Sequence, residues 1–221
     1  MGRDRSRPRG ADHPCHRPRG GPSFRLFRRR HARDRGAGGL SLLSLEDVAC
    51  VRGGRLLFEG LSLRLEAGEA ALVAGPNGAG KSSLIRLAAG LLRASSGRVS
   101  RAAAALTDER LALDERQRLG DALAFWVPDP ERGIAAMGLG PLAGVPVRML
   151  STGQRKRAAL ARTVASGAPL WLLDEPANGL DGEGLARLEA AMAAHRSQGG
   201  AILAASHQPL ALTGAAQVKL G

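Results

Sequence analysis

The first ordered pattern along the chain is an alternation of apolar and polar positions. It runs from Leu43 to Val51, and Leu61, Leu63 and Leu65 repeat it with polar neighbours. A period of two residues is typical of strands that bury one face. The pair Gly53-Gly54 between the two segments predicts a turn. The sequence therefore predicts small antiparallel strands in this part of the chain.

Three later runs are short and apolar throughout, at residues 70–74, 170–173 and 201–205. Such runs are typical of buried strands in a parallel sheet. Apolar residues with helical spacing follow two of these runs. After the first run they are Leu84, Leu87, Ala88 and Leu91, in a helix that begins near Lys81, and after the second they are Leu185, Leu188 and Met192. Strands that alternate with helices predict an α/β fold with a parallel sheet. The strands ahead of it predict an added antiparallel β layer.

Charge separates the first 39 residues from the rest of the chain. The protein has 221 residues and a formal net charge of +12, and residues 1–39 hold 12 Arg and only 3 Asp. This Arg-, Gly- and Pro-rich segment has no periodicity, so we predict a disordered basic tail over 1–39 and one folded domain over 40–221. The tail is a basic arm for nucleic acid or acidic lipid, a segment without function, or translated sequence upstream of the true start. The folded part carries little net charge, so no specific nucleic-acid partner is expected.

Cysteine use and hydropathy indicate where the protein works. The two cysteines, Cys15 and Cys50, do not make a disulfide framework, which favours a reducing compartment. No segment has the length and apolar character of a transmembrane helix, and the charged first residues do not resemble a secretory signal. We therefore expect an intracellular protein that reaches a membrane only through a partner.

A phosphate-binding motif lies between a predicted strand and a predicted helix. Residues 75–82 fit the pattern G-x-x-x-x-G-K-[ST] without a mismatch. Glycines let backbone N–H groups turn towards phosphate oxygens, Lys81 supplies positive charge, and the Ser82 hydroxyl is a ligand for Mg²⁺. The predicted ATP-binding residues are Gly75, Pro76, Asn77, Gly78, Ala79, Gly80, Lys81, Ser82 and Ser83.

A second anion site is predicted at the segment Ser151–Gln154, which we call the signature segment. Ser151 is a predicted N-cap, and Gly153 follows it at the start of a helix. One chain does not easily close two phosphate sites on one nucleotide. The simplest use of the second site is to close the phosphate loop of another subunit.

The order of these motifs resembles the ATP-binding subunits of ABC transporters. The phosphate loop, the signature segment Ser151, Thr152, Gly153 and Gln154, the pair Asp174-Glu175, then Asp181 and His207 follow one another over residues 42–221. Thr152 stands where that family usually has Gly. The resemblance implies a P-loop NTPase fold, ATP and Mg²⁺ as cofactors, and a homodimer that sandwiches two ATP and drives integral membrane subunits.

The resemblance also assigns a role to each of the later residues. Asp174 would hold Mg²⁺ together with Ser82, and Glu175 would be the general base. His207 would contact the γ-phosphate as a catalytic residue. Asp181 would belong to the D-loop, which touches the partner ATPase subunit.

Three short phrases resemble one subfamily more closely. They are Asp-Glu-Pro-Ala-Asn-Gly-Leu-Asp at 174–181, Ala-Ala-Ser-His-Gln-Pro-Leu at 204–210 and Ala-Leu-Ala-Phe-Trp at 122–126. They are similar to the haem exporter ATP-binding subunit of cytochrome c maturation, which implies haem export or release at the cytoplasmic face of the cell inner membrane. The alternatives are an ABC ATPase for another exported substrate, a soluble ABC ATPase acting on nucleic acid or ribosomes, and a nucleotide kinase.

The chain departs from the family pattern in three places. Arg52 stands where an aromatic residue usually stacks on adenine, and Asp108 or Glu109 occupies the place of the Q-loop glutamine. The helical lobe between the phosphate loop and the signature segment is short, and Val127-Pro128-Asp129-Pro130 breaks it. Within this lobe we expect Phe125 and Trp126 to be core residues, with a groove for a membrane subunit's coupling helix as the alternative.

Overall fold

A computed structural model describes residues 41–221 of the chain. The predicted basic tail over 1–39 lies outside these described residues. The strands are β1 (Leu43–Arg52), β2 (Arg55–Leu65), β3 (Ala70–Ala74), β4 (Ser96–Arg101), β5 (Ala104–Thr107), β6 (Leu170–Asp174), β7 (Ala201–Ala205) and β8 (Ala216–Lys219). The helices are α1 (Lys81–Ala88), α2 (Leu119–Ala124), α3 (Pro130–Ala136), α4 (Thr152–Ala165) and α5 (Gly182–Ser197). Among these residues no helix combines the length and the apolar character that crossing a bilayer requires.

The predicted antiparallel layer is a three-stranded sheet in the order β2-β1-β4. Gly53 and Gly54 join β1 to β2 with φ angles of 55° and 77°, a conformation that Gly adopts without steric cost. Strand β2 begins at Arg55, well before the alternation that predicted it. The alternation of apolar and polar residues is interrupted in the first half of this strand. A register irregularity there places Phe58 opposite Cys50 and Leu56 opposite Val51.

The second sheet is parallel, with the order β5-β6-β7-β3-β8. Every residue of β6 and β7 is buried, as their unbroken apolar runs predict. Carboxyl ends of parallel strands lie along one edge of a sheet, where ligand sites of open α/β sheets form. The phosphate loop after β3, Glu175 after β6 and Ser206 after β7 therefore all begin at the same edge. The α/β fold with an added antiparallel layer is confirmed.

Two hydrophobic cores hold these layers together. One core joins the antiparallel sheet to α1 and to one face of the parallel sheet, and it includes Leu43, Leu84 and Leu172. The other joins the opposite face of the parallel sheet to the helices, and it includes Leu160 and Leu173. The alternation of Leu172 and Leu173 between the cores shows why a central strand must be apolar at every position.

One predicted helical position is wrong. Leu91 fits the spacing of α1, but the helix ends at Ala88 and the Leu91 side chain is 69% exposed. Gly90, with φ of 74°, turns the chain out of the helix before Leu91 is reached.

The prediction of Phe125 and Trp126 as core residues is also wrong. Their side chains are 78% and 50% exposed, and the two rings meet edge to face with centroids 5.3 Å apart. Helix α2 buries Leu119 and Leu123, and it ends at Ala124, directly before the two exposed rings. We call Phe125 and Trp126 the aromatic pair.

Candidate nucleotide site

The phosphate loop, residues 75–82, connects β3 to α1 and takes its shape from glycine. Gly75 has φ of 156°, and a Cβ there would lie 2.3 Å from the carbonyl oxygen of Leu220. Gly80 has φ of 104° and is the N-cap residue of α1. Any larger residue at position 75 would collide with the backbone after β8, so this close approach requires Gly. The loop delivers the chain to the N-terminus of α1, where the helix dipole favours an anion.

Lys81 is the buried cation of this loop, with only 7% of its surface exposed. Its Nζ donates to the carbonyl oxygens of Gly75 at 2.9 Å and Pro76 at 3.1 Å. The loop thus holds the ammonium group beside its own backbone, at the N-terminus of α1. A polyphosphate bound in the loop would meet a cation that is already in place.

Ser82 and Asp174 meet across the edge of the parallel sheet. The Ser82 hydroxyl donates to Oδ1 of Asp174 at 3.0 Å. Burial raises the pKa of Asp174, while the Ser82 hydrogen bond and the charge of Arg86 act in the opposite direction. A hydroxyl beside a carboxylate fits Mg²⁺, which takes few protein oxygens and completes its shell with phosphate and water. Among residues 41–221 no three His, Cys, Asp or Glu side chains are grouped to hold a metal by themselves.

Glu175 follows Asp174 in a conformation that is rare for a residue with a side chain. Its φ is 48°, and its backbone N–H donates to the carbonyl oxygen of Ala205 at 2.8 Å. Oε2 accepts the backbone N–H of His207 at 3.1 Å, and the His207 Nε2 lies 3.5 Å from Oε1. The structure therefore brings together the predicted base and the predicted switch histidine, from the ends of two adjacent strands.

The signature segment caps α4 as its Ser predicts. The Ser151 hydroxyl accepts the N–H of Gln154 at 3.3 Å, and the Gln154 side chain accepts the N–H of Ser151 at 2.9 Å. This reciprocal pair is a capping box. Ser151 and Thr152 are exposed, and a Cβ at Gly153 would lie 3.1 Å from the carbonyl oxygen of Gly179. The signature segment therefore lies against Gly179, two residues before the predicted D-loop residue Asp181.

Asp181 has a clear structural role in addition to the predicted one. Its side chain caps α5 by accepting the N–H of Gly184 at 2.7 Å. An N-cap contributes about 1 kcal/mol to a helix. Contact with a partner subunit stays a prediction for this residue.

The hairpin of β1 and β2 lies beside the phosphate loop. A Cβ at Gly80 would contact Leu57 and Phe58 of β2 at 3.1 and 3.2 Å. Arg52 and Arg55 are paired at the end of this hairpin, next to the exposed pair Val51 and Leu56. Two guanidinium groups thus lie at the end of the hairpin, near the position where the resemblance to ABC ATPases would place an aromatic residue against adenine.

Two acidic residues, Asp108 and Glu109, follow β5, and their place at the position of the family's glutamine stays a prediction. Thr107 ends β5 and pairs with Leu173, so Asp108 begins at the level of Asp174. Lys156 of α4 comes close to this group: burial lowers its pKa, and the charges of Glu109, Asp174, Asp108 and Glu175 raise it. Lys156 was not among the predicted site residues, although it lies in the basic run Arg155-Lys156-Arg157 directly after the signature segment.

The pattern of the described residues matches a known family. The profile of ABC transporters matches residues 58–178, which include the phosphate loop, the signature segment and Asp174. The chain belongs to this family. As an ABC ATPase it hydrolyses ATP.

The chain aligns with curated relatives over most of their length. The chain is 56% identical over 188 residues to the cytochrome c biogenesis ATP-binding export protein CcmA of Sphingopyxis alaskensis, covering 81% of this chain and 97% of that protein. It is 60% identical over 169 residues to the protein of that name from Novosphingobium aromaticivorans, covering 75% and 88%. The solved structure of an ABC transporter ATP-binding subunit superposes with a TM-score of 0.68 at 23% identity, covering 75% of this chain and 79% of that one. The ABC ATPase is therefore a member of the cytochrome c biogenesis group of its family.

Proposed function

We propose that this ABC ATPase powers the export or release of haem in cytochrome c biogenesis, as a peripheral subunit at the cytoplasmic face of the inner membrane. The observation that carries the proposal is the 56% identity that extends over 97% of a relative named as a cytochrome c biogenesis export protein. Export of another substrate is the second candidate, because no described residue specifies what is moved.

The site residues suggest how each turnover proceeds. Lys81 and the N-terminus of α1 neutralise the β and γ phosphates. Ser82 and Asp174 would hold Mg²⁺, which would supply further charge neutralisation. A water attacks the γ-phosphorus and forms the new P–O bond, while the bond to the bridging oxygen of ADP breaks. Glu175 accepts the proton of that water. His207, held by its backbone bond to Glu175, orients the γ-phosphate.

The exposed signature segment supports a head-to-tail homodimer. Ser151 and Thr152 present a hydroxyl-rich helix N-terminus to the outside of the chain. This surface is suited to the γ-phosphate of ATP bound in the phosphate loop of a second copy.

The aromatic pair supports a contact with an integral membrane subunit. Phe125 and Trp126 expose two large rings on the helical lobe. An exposed apolar patch is typical of a surface that binds another protein. We assign this surface to a short helix of the membrane subunit, the alternative that sequence analysis left open.

Complementation of a strain that lacks its own ATPase subunit tests the function. The strain receives the wild-type chain, Glu175→Gln or the matched control Glu189→Gln, and the readout is cytochrome c with covalently attached haem. Glu189 Oε1 accepts the N–H of Ala211 at 3.0 Å, far along α5, and a Gln keeps that bond. We expect the wild type and Glu189→Gln to restore holocytochrome c and Glu175→Gln to fail.

Two other outcomes have distinct meanings. Restoration by Glu175→Gln would show that ATP hydrolysis is not needed for the role. If the wild-type chain hydrolyses ATP and assembles at the membrane but restores no holocytochrome c, the second candidate substrate class replaces haem.

A further inference from the structure

Arg162 connects the aromatic pair to the edge of the nucleotide site. It lies in the last turn of α4, and its guanidinium carbon is 5.0 Å from the centroid of the Trp126 ring. Its Nη2 also donates to the carbonyl oxygen of Leu106 in β5 at 3.0 Å. One planar group therefore contacts a surface ring on one side and a strand of the central sheet on the other.

The β5 side of this connection leads to the acidic residues Asp108 and Glu109. Leu106 is followed by Thr107, whose hydroxyl is hydrogen-bonded to Thr163, the residue after Arg162. Asp108 and Glu109 come next, and the charge of Asp108 also acts on Arg162. Two neighbouring residues of α4 thus hold the segment that stands in place of the family's glutamine.

Helix stability alone does not account for this arrangement. A cation in the last turn of a helix is favourable wherever its side chain points. Burial lowers the pKa of the Arg162 guanidinium, so the group has given up water to occupy this position. A planar guanidinium donates hydrogen bonds within its plane while its face stacks on an indole ring. Lysine would keep the charge, but its ammonium group has no such plane.

We infer that Arg162 is a positioning residue that links the aromatic pair to the Leu106–Glu109 segment, so that nucleotide binding and partner docking influence each other. This inference deepens the proposed function and rests on it for the identity of the partner. The nucleotide half of the link acts within the ATPase subunit and does not require the membrane subunit.

Tryptophan fluorescence of the full chain tests the link. The chain has two Trp, and Trp171 is buried and stacked on His195, whereas Trp126 is half exposed. MgATP is added to Glu175→Gln, which keeps ATP intact, and the same experiment with an added Trp126→Phe isolates the Trp126 signal. We expect MgATP to change Trp126 emission, and Arg162→Gln to abolish that change while the affinity for ATP stays within about twofold.

The matched control is Arg157→Gln on the same helix. The Arg157 guanidinium also donates to a carbonyl oxygen, that of Met137, but Trp126 is not among its contacts. Arg157→Gln should keep the Trp126 response. In steady state, Arg162→Gln should lower kcat with little change in KM for ATP, whereas general damage to the site would change both.

Defined results would overturn the inference. An unchanged Trp126 response in Arg162→Gln, or no response in the parent protein, excludes the link. If Arg162→Gln does not fold by circular dichroism, Arg162→Lys takes its place, and a Lys variant that keeps the full response excludes the planar contact. Restoration of holocytochrome c by the wild-type chain would be unaffected by these results, so failure of the link and failure of the proposed function are separable.

Discussion

Replacement of Glu175 by Gln isolates the chemical step from nucleotide binding. The Glu175 backbone is fixed by its N–H bond to Ala205 at 2.8 Å, and a Gln oxygen can still accept the His207 N–H. The contact that is lost is the one between Oε1 and the His207 ring at 3.5 Å, where the His207 side chain is 46% exposed. A pair so accessible to water contributes at most about 1 kcal/mol, so folding and phosphate contacts should be nearly unchanged.

The kinetic effect should be far larger, because an amide does not accept the proton of the attacking water. A general base contributes about 10²–10⁴-fold to a rate. This factor corresponds to about 2.7–5.4 kcal/mol of transition-state stabilisation. We therefore expect kcat to fall by at least about a hundredfold, with the affinity for ATP retained.

Phosphate release, equilibrium nucleotide binding and size-exclusion chromatography in MgATP measure the three consequences together. Glu175→Gln should bind ATP, release phosphate very slowly and accumulate as a dimer, while Glu189→Gln should match the wild type. A Glu175→Gln protein with normal turnover would remove Glu175 from the role of base. One that binds ATP but elutes only as a monomer would contradict the sandwich dimer.

Three further results are expected. Lys81→Ala should abolish ATP binding or turnover because a bound polyphosphate loses its buried cation, and normal turnover would remove the assignment of the phosphate loop. Burial lowers the pKa of His195 from 6.5, so the stability of its neutral form is present above that pH and is lost as the pH falls below it. The Tm of the wild type should therefore fall more steeply than that of His195→Phe between about pH 7.5 and about pH 5, and parallel curves would contradict this. Deletion of residues 1–39 should leave ATPase activity and ATP affinity unchanged and weaken salt-sensitive binding to DNA, whereas a tenfold loss of ATP affinity, about 1.4 kcal/mol, would show that the tail contributes to the site.

The buried strands and the phosphate loop were predictable because their causes are local. An unbroken apolar run as short as Leu170–Leu173 is typical of a strand at the centre of a parallel sheet. Gly75 and Gly80 are needed for backbone conformations that the motif itself requires. Ser151 predicted a helix start because its hydroxyl satisfies a backbone donor three residues away.

Features that depend on packing between distant segments were not predictable from spacing. The exposure of the Trp126 side chain depends on which segments pack beside it in the folded protein. Its contact residue Arg162 is distant in sequence and lies beyond the signature segment. The bond from His207 to Glu175 likewise joins the ends of two strands that are adjacent only in the folded sheet. Leu91 was mispredicted for a local reason. Its spacing fits the helix, but Gly90 ends the helix before Leu91 is reached.

The capping box of α4 means that the proposed capture of an anion by the Ser151 hydroxyl would exchange one hydrogen bond for another. The Ser151 hydroxyl and the Gln154 side chain already satisfy each other's backbone N–H groups, and a cap of this kind contributes about 1 kcal/mol. A γ-phosphate that used the Ser151 hydroxyl would replace the bond that this hydroxyl accepts from Gln154. In the proposed dimer, the free energy gained on closure would then be the difference between two bonded states, which would favour reopening once phosphate has left.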